Sequence, residues 1–335
     1  MANFWEIVRY QVCDKARWES FIATARNVTF LFSREYMDYH SDRFADHSLM
    51  AYKNGRLAAL LPAHLDGDVL VSHGGLSYGG WILQPSHTDC GDVADLFEAL
   101  ALYCRRCGIR AVDYKPLPAI YAKAPSDEDL YALWRMGAVN TECSVSAAVD
   151  LRANPGLNQM QRRHLRSSSG LNIEVARADS DEEYAEFHAM LTSCLAERHG
   201  TAPIHTLDEM LLLARRFPFG KNLPLGDISL WAVRIDGVMQ AGVWVFNTPV
   251  TVHAQYIAST PTGRQKNLLT PLFSRLIDIT SDPASFAENF GPGKRFFDFG
   301  ISTEDHGREL NRGLYRQKAS YGATASLTTR FLLSI

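Results

Sequence analysis

Cysteine is scarce in this 335-residue chain, and it is scattered: Cys13, Cys90, Cys104, Cys107, Cys143 and Cys194 follow no regular spacing. That argues against a disulfide framework and for a reducing, cytoplasmic compartment. The single CxxC, Cys104 to Cys107, ends a helical run and has no second pair downstream, so structural thiols are expected there rather than redox or zinc chemistry. No HxxxH occurs either, and no metal is expected. No apolar run approaches the roughly 18–20 residues that a membrane helix needs. The opening MANFWEIVRYQVCDKARWESF lacks a basic segment followed by an apolar one, so no signal peptide is expected. Charge of one sign is missing too. Lys and Arg number 34 against 37 Asp and Glu, a formal net charge of -3 and no overall field for nucleic acid. No GxGxxG opens a helix after a strand. The glycine-rich stretch from His73 to Gly80 is not followed by Gly-Lys-Ser/Thr, so it is no phosphate loop. Direct transfer between two bound substrates is the simplest chemistry left.

What the chain does have is ample core material, with 46% hydrophobic and 21% charged residues, and a length that suggests two domains. The first half reads as helices over 18–28 and 33–40, and strands over 48–52 and 57–65 about an Asn54-Gly55 hairpin turn. A strand over 69–73, a helix over 92–106 stopped by Gly108, a strand over 109–115, a helix over 126–136 capped by Ser126 and a strand over 144–151 follow. RANPG at 152–156 reads as a linker. The second half opens with a basic helix over 159–167, a strand over 171–176 and helices over 180–197 and 207–217. Three strands follow over 228–235, 238–246 and 250–258, the first two joined at Asp236-Gly237. A helix over 267–279 and a last strand over 325–332 complete it. Both halves show a hairpin sheet, a helix, a strand, another helix and a final strand. The expected fold is therefore α+β, with two tandem units, 1–152 and 153–335, each a mixed, mostly antiparallel sheet flanked by helices.

The richest segment runs from Phe296 to Ala323, FFDFGISTEDHGRELNRGLYRQKASYGA. It reads as a buried strand, a polar turn, a helix and a glycine stop. Asp298 sits inside the apolar run and needs a partner, because an unpaired buried carboxylate is expensive. Asn311, Tyr315 and Lys318 are spaced to share one helix face.

The element order of the second half resembles the GNAT acyltransferase superfamily, in which a strand leads to an anion-binding loop that opens a helix. The matching segments are HAQYIAS, TPTGRQ and KNLLTPLFSRLIDI, then FFDFGIS and NRGLYRQKASYGA. Phe297-Asp298-Phe299-Gly300, Asn311, Gly313-Leu314, Gln317-Lys318, Tyr321-Gly322 and RRHLR at 162–166 resemble more closely the tandem-GNAT proteins. These include the Fem-type aminoacyltransferases and a bacterial group of acetyltransferases of cellulose or polysaccharide biosynthesis. The resemblance implies two GNAT-like domains, the second holding the acyl donor and the first, degenerate, on the acceptor side. It implies acyl-CoA, acetyl-CoA foremost, as co-substrate, contacted by Gly263, Arg264, Gln265, Lys266, Asn267, Asn311 and Tyr315. Two departures stand out. Only Gly263 remains of the usual Gln/Arg-x-x-Gly-x-Gly/Ala loop. Lys318 stands four residues before Gly322, where ordinary GNAT enzymes keep a tyrosine acid.

Each candidate has a plainer alternative. Lys318 would stabilise an oxyanion or protonate a leaving group, or simply complement a helix C-terminus. Asp298 would orient Lys318 or act as base, or accept backbone amides. His253 shares a strand face with Gln255 and could be a base, or a satisfied core histidine. Arg162, Arg163 and Arg166 form a short basic face for a phosphate of CoA, tRNA or a nucleotide-linked acceptor, or a solvated helix face. Arg198 and His199 close a long helix and would contact substrate or the helix dipole. His73 and Tyr78 lie in a possible acceptor loop, whose glycines equally suit a sheet corner. The expected reaction is N-acyl transfer from acyl-CoA to a primary amine on an amino sugar, sugar nucleotide or amino-acid-like acceptor. An aminoacyl-tRNA-dependent transferase and a non-catalytic binding protein on a decayed GNAT fold are the alternatives.

Overall fold

The computed structural model describes residues 5–86, 88–153, 156–221, 223–282 and 289–335. In chain order its regular elements begin with β1 (Trp5–Arg9), α1 (Lys15–Thr24), α2 (Arg34–Met37), β2 (Leu49–Lys53), β3 (Arg56–Leu61), β4 (His64–Asp66), β5 (Val69–Val71) and β6 (Ile82–Leu83). Then come α3 (Cys90–Cys107), β7 (Ala111–Tyr114), α4 (Glu128–Arg135), β8 (Val139–Asp150), α5 (Gln159–Ser168), β9 (Ile173–Ala178), α6 (Asp181–His199) and α7 (Leu207–Arg216). The remainder are β10 (Asp227–Ile235), β11 (Val238–Asn247), β12 (Thr251–Ser259), α8 (Pro261–Gln265), α9 (Leu269–Ser281), β13 (Phe296–Ile301), β14 (Thr303–Glu304), β15 (Glu309–Leu310), α10 (Arg312–Ala319) and β16 (Thr324–Ser334).

The chain divides into two compact units. One comprises residues 1–145, 303–310 and 326–335; the other comprises 146–302 and 311–325. This differs from the expected cut after Arg152. The change of unit falls inside β8, and the C-terminal strand belongs with the first unit. No composition shift marks either point, because the hydrophobic pattern of a strand carries no sign of a change of unit.

In the first unit β1, β2, β3 and β6 form an antiparallel sheet. Residues Asn54 and Gly55 both take left-handed φ, as the two-residue turn between β2 and β3 requires. Strand β5 pairs antiparallel with β4 and parallel with β7, which pairs antiparallel with β16. Helix α3 packs its apolar stripe, Val93, Leu96, Phe97 and Leu100, into this core. Asp89 and Asp92 cap it reciprocally, and Gly108 ends it in the left-handed conformation. Helix α4 starts one residue later than expected for a Ser126 cap, with Asp127 at the cap position.

The second unit carries the order β9-β10-β11-β12-β13-β8. Every pairing in it is antiparallel except β12 with β13. Asp236 and Gly237 make the expected tight turn, both at positive φ. Helix α6 begins with a Ser180–Glu183 capping box and ends at left-handed Gly200. Helix α9 lays Leu272, Phe273 and Leu276 on a core that includes Trp231, Val243, Val252, Phe297 and Phe299. Each such side chain contributes roughly 1.5–3 kcal/mol on burial.

One feature of this sheet positions the candidate site. Strands β12 and β13 pair only from Thr251↔Phe296 to His253↔Asp298. Both continue beyond that point, to Ser259 and Ile301, without pairing. Each also carries an irregularity there. On β12 the register against β11 slips between Ala254 and Tyr256, leaving Gln255 as the extra residue. On β13 the register against β8 slips between Asp298 and Ile301, where Gly300 has φ +79°. Bulges bend strands and re-aim side chains. The two strands part just after His253 and Asp298.

Candidate active site

Asp298 is only 2% exposed, so its charge must be compensated. The bulge and the neighbouring strands do this. The Gly300 amide donates to Asp298 Oδ1 at 2.9 Å, and the Ser146 hydroxyl, from β8, donates to the same oxygen at 2.5 Å. The other oxygen, Oδ2, faces Nδ1 of His253 at 3.0 Å. An ionised carboxylate only accepts, so His253 donates from Nδ1 and carries its lone pair on Nε2. The His253 side chain is 18% exposed, so part of it faces solvent. A buried carboxylate thus fixes the tautomer of a partly exposed imidazole.

Lys318 comes from α10 and is buried. Its Nζ donates to the carbonyl oxygens of Gly300 at 2.9 Å and Ile301 at 2.6 Å. The Gly300 bulge takes that stretch of β13 out of ladder register, and the ammonium satisfies both carbonyls. Lys318 thus clamps the backbone two and three residues beyond Asp298, whose charge still acts on it. Burial pushes the Lys318 pKa down to about 8, with the Asp298 charge opposing that fall. An ammonium has a third N–H beyond the two used here.

Other expected residues meet different fates. Gln255 lies two residues beyond His253 on β12, half-buried, and its Oε1 is buried with no hydrogen-bond partner among the described residues. Asn311 uses its side-chain oxygen to cap α10, accepting from the Leu314 amide at 3.0 Å. Tyr315 packs against the core of the second unit. The shared face expected for Asn311, Tyr315 and Lys318 is thus a cap, a packing ring and a clamp.

The segment from Thr260 to Thr270 departs furthest from a phosphate cradle. The amide of Gly263 donates to Thr260 Oγ1, and that of Arg264 to the Thr260 carbonyl. Those of Lys266, Asn267, Leu268 and Thr270 donate to Thr262, Arg264, Gly263 and Asn267. Gly263 is there for packing: a Cβ would stand 2.2 Å from the Gln240 carbonyl oxygen and 2.5 Å from Ser259 Oγ. The Arg264 guanidinium bonds the Ser259 carbonyl at 2.9 Å and Glu197 at 2.9 Å. Gln265 and Lys266 remain exposed, and Asn267 takes a left-handed φ of 55°. Helix α8 ends the strand-to-helix turn by turning these amides on itself, so the expected anion loop of Gly263 to Asn267 offers side chains rather than amides.

Basic helix α5 forms as expected, capped by Asn158. Gln161 anchors it: Nε2 donates to Ser320 Oγ at 2.8 Å, and Oε1 accepts from Thr270 at 2.6 Å. Arg162, Arg163 and Arg166 are exposed. Arg162 folds back onto the Leu157 carbonyl at 2.7 Å, whereas Arg163 and Arg166 have no acidic partner among the described residues. Arg198 is exposed near the end of α6; the side chain of His199 lies outside the described residues.

In the first unit, the acceptor-loop residues turn inward. His73 is 2% and Tyr78 6% exposed. His73 stacks on His40, ring centres 5.2 Å apart, and Tyr78 donates to Thr29 at 3.2 Å. The glycines let the loop lie on these rings: a Cβ on Gly75 would stand 2.3 Å from His40 Nε2. This is the sheet-corner alternative. The same loop spells Gly75-Leu76-Ser77-Tyr78-Gly79, a GxSxG pattern that can mark a nucleophile elbow. An elbow needs a helix directly after the serine. Here residues 77–81 form no helix, and no base is bonded to the exposed Ser77 among the described residues. Among the described residues, no group of three or more His, Cys, Asp and Glu is arranged to hold a metal ion, and no helix is long and apolar enough to cross a membrane.

Sequence reasoning missed Ser146 as a site residue. Its only signal was position, in the strand that would flank the FDFG strand.

No protein-family model and no curated protein sequence matches this chain. Solved structures do. The chain is similar to FemX, with a TM-score of 0.67 and 11% identity, over 98% of this chain and 97% of that one. It is similar to L-PGS from Bacillus licheniformis, with a TM-score of 0.59 and 12% identity, over 94% and 90% of the two chains. It is also similar to a tandem GNAT protein from the clavulanic acid biosynthesis pathway, with a TM-score of 0.53 and 12% identity, over 99% and 98%. The fold is the tandem GNAT-like α+β fold, a large mixed sheet flanked by helices.

Proposed function

We propose that this protein is an acyltransferase that moves an acyl or aminoacyl group directly onto a primary amine, with His253 as the general base. The observation that carries this reading is the His253–Asp298 pair at the point where β12 and β13 part. The acceptor amine attacks the carbonyl carbon of the donor, and a C–N bond forms. Nε2 of His253 takes the proton that the nitrogen must lose. Asp298 holds the ring and stabilises the imidazolium, as a buried carboxylate does for a catalytic histidine. The tetrahedral intermediate then expels the donor's thiolate or alkoxide, which takes the proton from the imidazolium and leaves as the thiol or alcohol. Such proton transfer is worth about 10²–10⁴ in rate. Holding both substrates together supplies much of the remainder. Lys318 fixes the end of β13, and its remaining N–H is the donor assigned to the oxyanion. Gln255 is assigned to orient the acceptor, and Arg163 and Arg166 to hold a phosphate of one substrate.

The inward amides of Gly263, Arg264, Lys266, Asn267, Leu268 and Thr270 and the Arg264–Glu197 pair weigh against a pyrophosphate cradle. They favour an aminoacyl ester such as aminoacyl-tRNA as donor. Acetyl-CoA is the second reading, supported by the exposed Gln265 and Lys266. The acceptor classes that suit this chemistry are an amino sugar, a sugar nucleotide or an amino-acid-like amine, in the cytoplasm. Titration with acetyl-CoA, longer acyl-CoAs and charged tRNA separates the donors. Saturable binding of one class assigns it; absence of binding by all of them contradicts the reading.

A further inference from the structure

The Asp298 carboxylate is held asymmetrically, and one holder stands outside every role given above. Oδ1 takes two hydrogen bonds, from the Gly300 amide and the Ser146 hydroxyl, and Oδ2 faces His253. The Gly300 amide belongs to the bulge on Asp298's own strand. Ser146 comes from β8, the strand on the other side of β13, where it stands in register with Ile301. It is itself 4% exposed. With the Gly300 amide alone on Oδ1, the carboxylate and the imidazole bonded to Oδ2 can still tilt together about the Asp298 Cβ–Cγ bond. A second bond from a different strand removes that freedom and leaves Oδ2 aimed at the imidazole. Hydrogen bonds to a buried charged group are the stronger class, and losing one is felt.

We infer that Ser146 is a positioning residue: through Asp298 Oδ1 it sets the orientation and tautomer of His253. The inference rests on the proposed role of His253 for its catalytic consequence, but its structural content stands without any substrate. Carrier and carried differ in burial. Ser146 and Asp298 are sealed in the sheet, whereas His253 reaches solvent. The arrangement therefore transmits order from β8, across β13, to the partly exposed ring on β12.

The test uses the full chain in solution, labelled with ¹⁵N-histidine, with the His253 signals assigned by their loss in His253→Gln. In the native protein the ring is expected as the Nδ1–H tautomer, with an Nδ1 proton shifted downfield and slow to exchange. Ser146→Ala is expected to speed that exchange about tenfold or more and to mix the two tautomers. Ser146→Thr, which keeps the hydroxyl, is expected to restore the native signals. Ser146→Cys, with a weak S–H donor, should fall between and serves if the alanine variant does not fold. Native signals in Ser146→Ala or Ser146→Cys would overturn the inference. Once a donor is bound, Ser146→Ala should lower kcat roughly ten- to a hundredfold with KM little changed. Altered imidazole signals with unaltered kcat would leave Ser146 positioning the ring and remove His253 from the chemistry, so the two claims fail separately.

Discussion

Lys318, on α10, donates to the carbonyl oxygen of Gly300, on β13, 2.9 Å away. The pair explains both residues. Gly300 supplies the left-handed φ that the bulge needs. Lys318 satisfies the carbonyl that the bulge takes out of the ladder. Asp298 gains the Gly300 amide as a result.

That burial makes a pH prediction. Lys318 titrates at about 8 in the folded protein against an ordinary value of 10.5. The unfolded chain therefore binds more protons between those values, and stability rises with pH across that window. Below about pH 8 the folded state bears the full cost of the buried charge. In Lys318→Met this titration is absent. The stability of the native protein relative to the variant should rise by up to about 3 kcal/mol between pH 8 and 10. Urea denaturation at several pH values measures it, and parallel profiles would contradict it.

Asp129 makes the opposite prediction in the first unit. It is buried beside Tyr114, whose hydroxyl donates to Oδ2 at 2.9 Å, and burial pushes its pKa up to about 7 from 3.8. The folded state binds the extra proton between those values, so this group's contribution to stability falls as pH rises from 4 to 7. Asp129→Asn keeps an acceptor for Tyr114 and removes the charge. Its stability relative to native should improve from pH 5 to pH 7, by about 2–3 kcal/mol, and level off above that. Thermal melts across that range decide, and a constant difference would refute the shift.

Gly263 separates packing from phosphate binding. If it serves the close approach to Gln240 and Ser259, Gly263→Ala strains the backbone by about 1–3 kcal/mol and lowers Tm by several degrees. If it served a phosphate, the melt would be unchanged and donor binding alone would weaken. Differential scanning fluorimetry with and without donor tells the two apart.

The sequence showed its regular elements well, because capping boxes, glycine stops and Asn-Gly or Asp-Gly turns are local signals. Ser180 with Glu183, and Gly108, stand where such signals place them. The buried Asp298 was legible because an acid in an apolar run demands partners. Its partners were not. Ser146 lies 152 residues away, and a hydroxyl in a strand has no pattern of its own. The short α8 was also hidden: TPTGRQ reads as a loop, yet Thr260 and Pro261 start a helix that consumes the loop's amides. Spacing placed Lys318 on a face with Asn311 and Tyr315, but capping and packing claimed those two residues.

The central claim is that His253 removes the proton from an attacking amine. The most direct measurement is single-turnover acyl transfer by native protein and His253→Gln, each saturated with the donor identified by titration. The account predicts donor binding within a few-fold of native and a transfer rate lower by about 10²–10⁴. A folded His253→Gln variant that transfers at the native rate would contradict it.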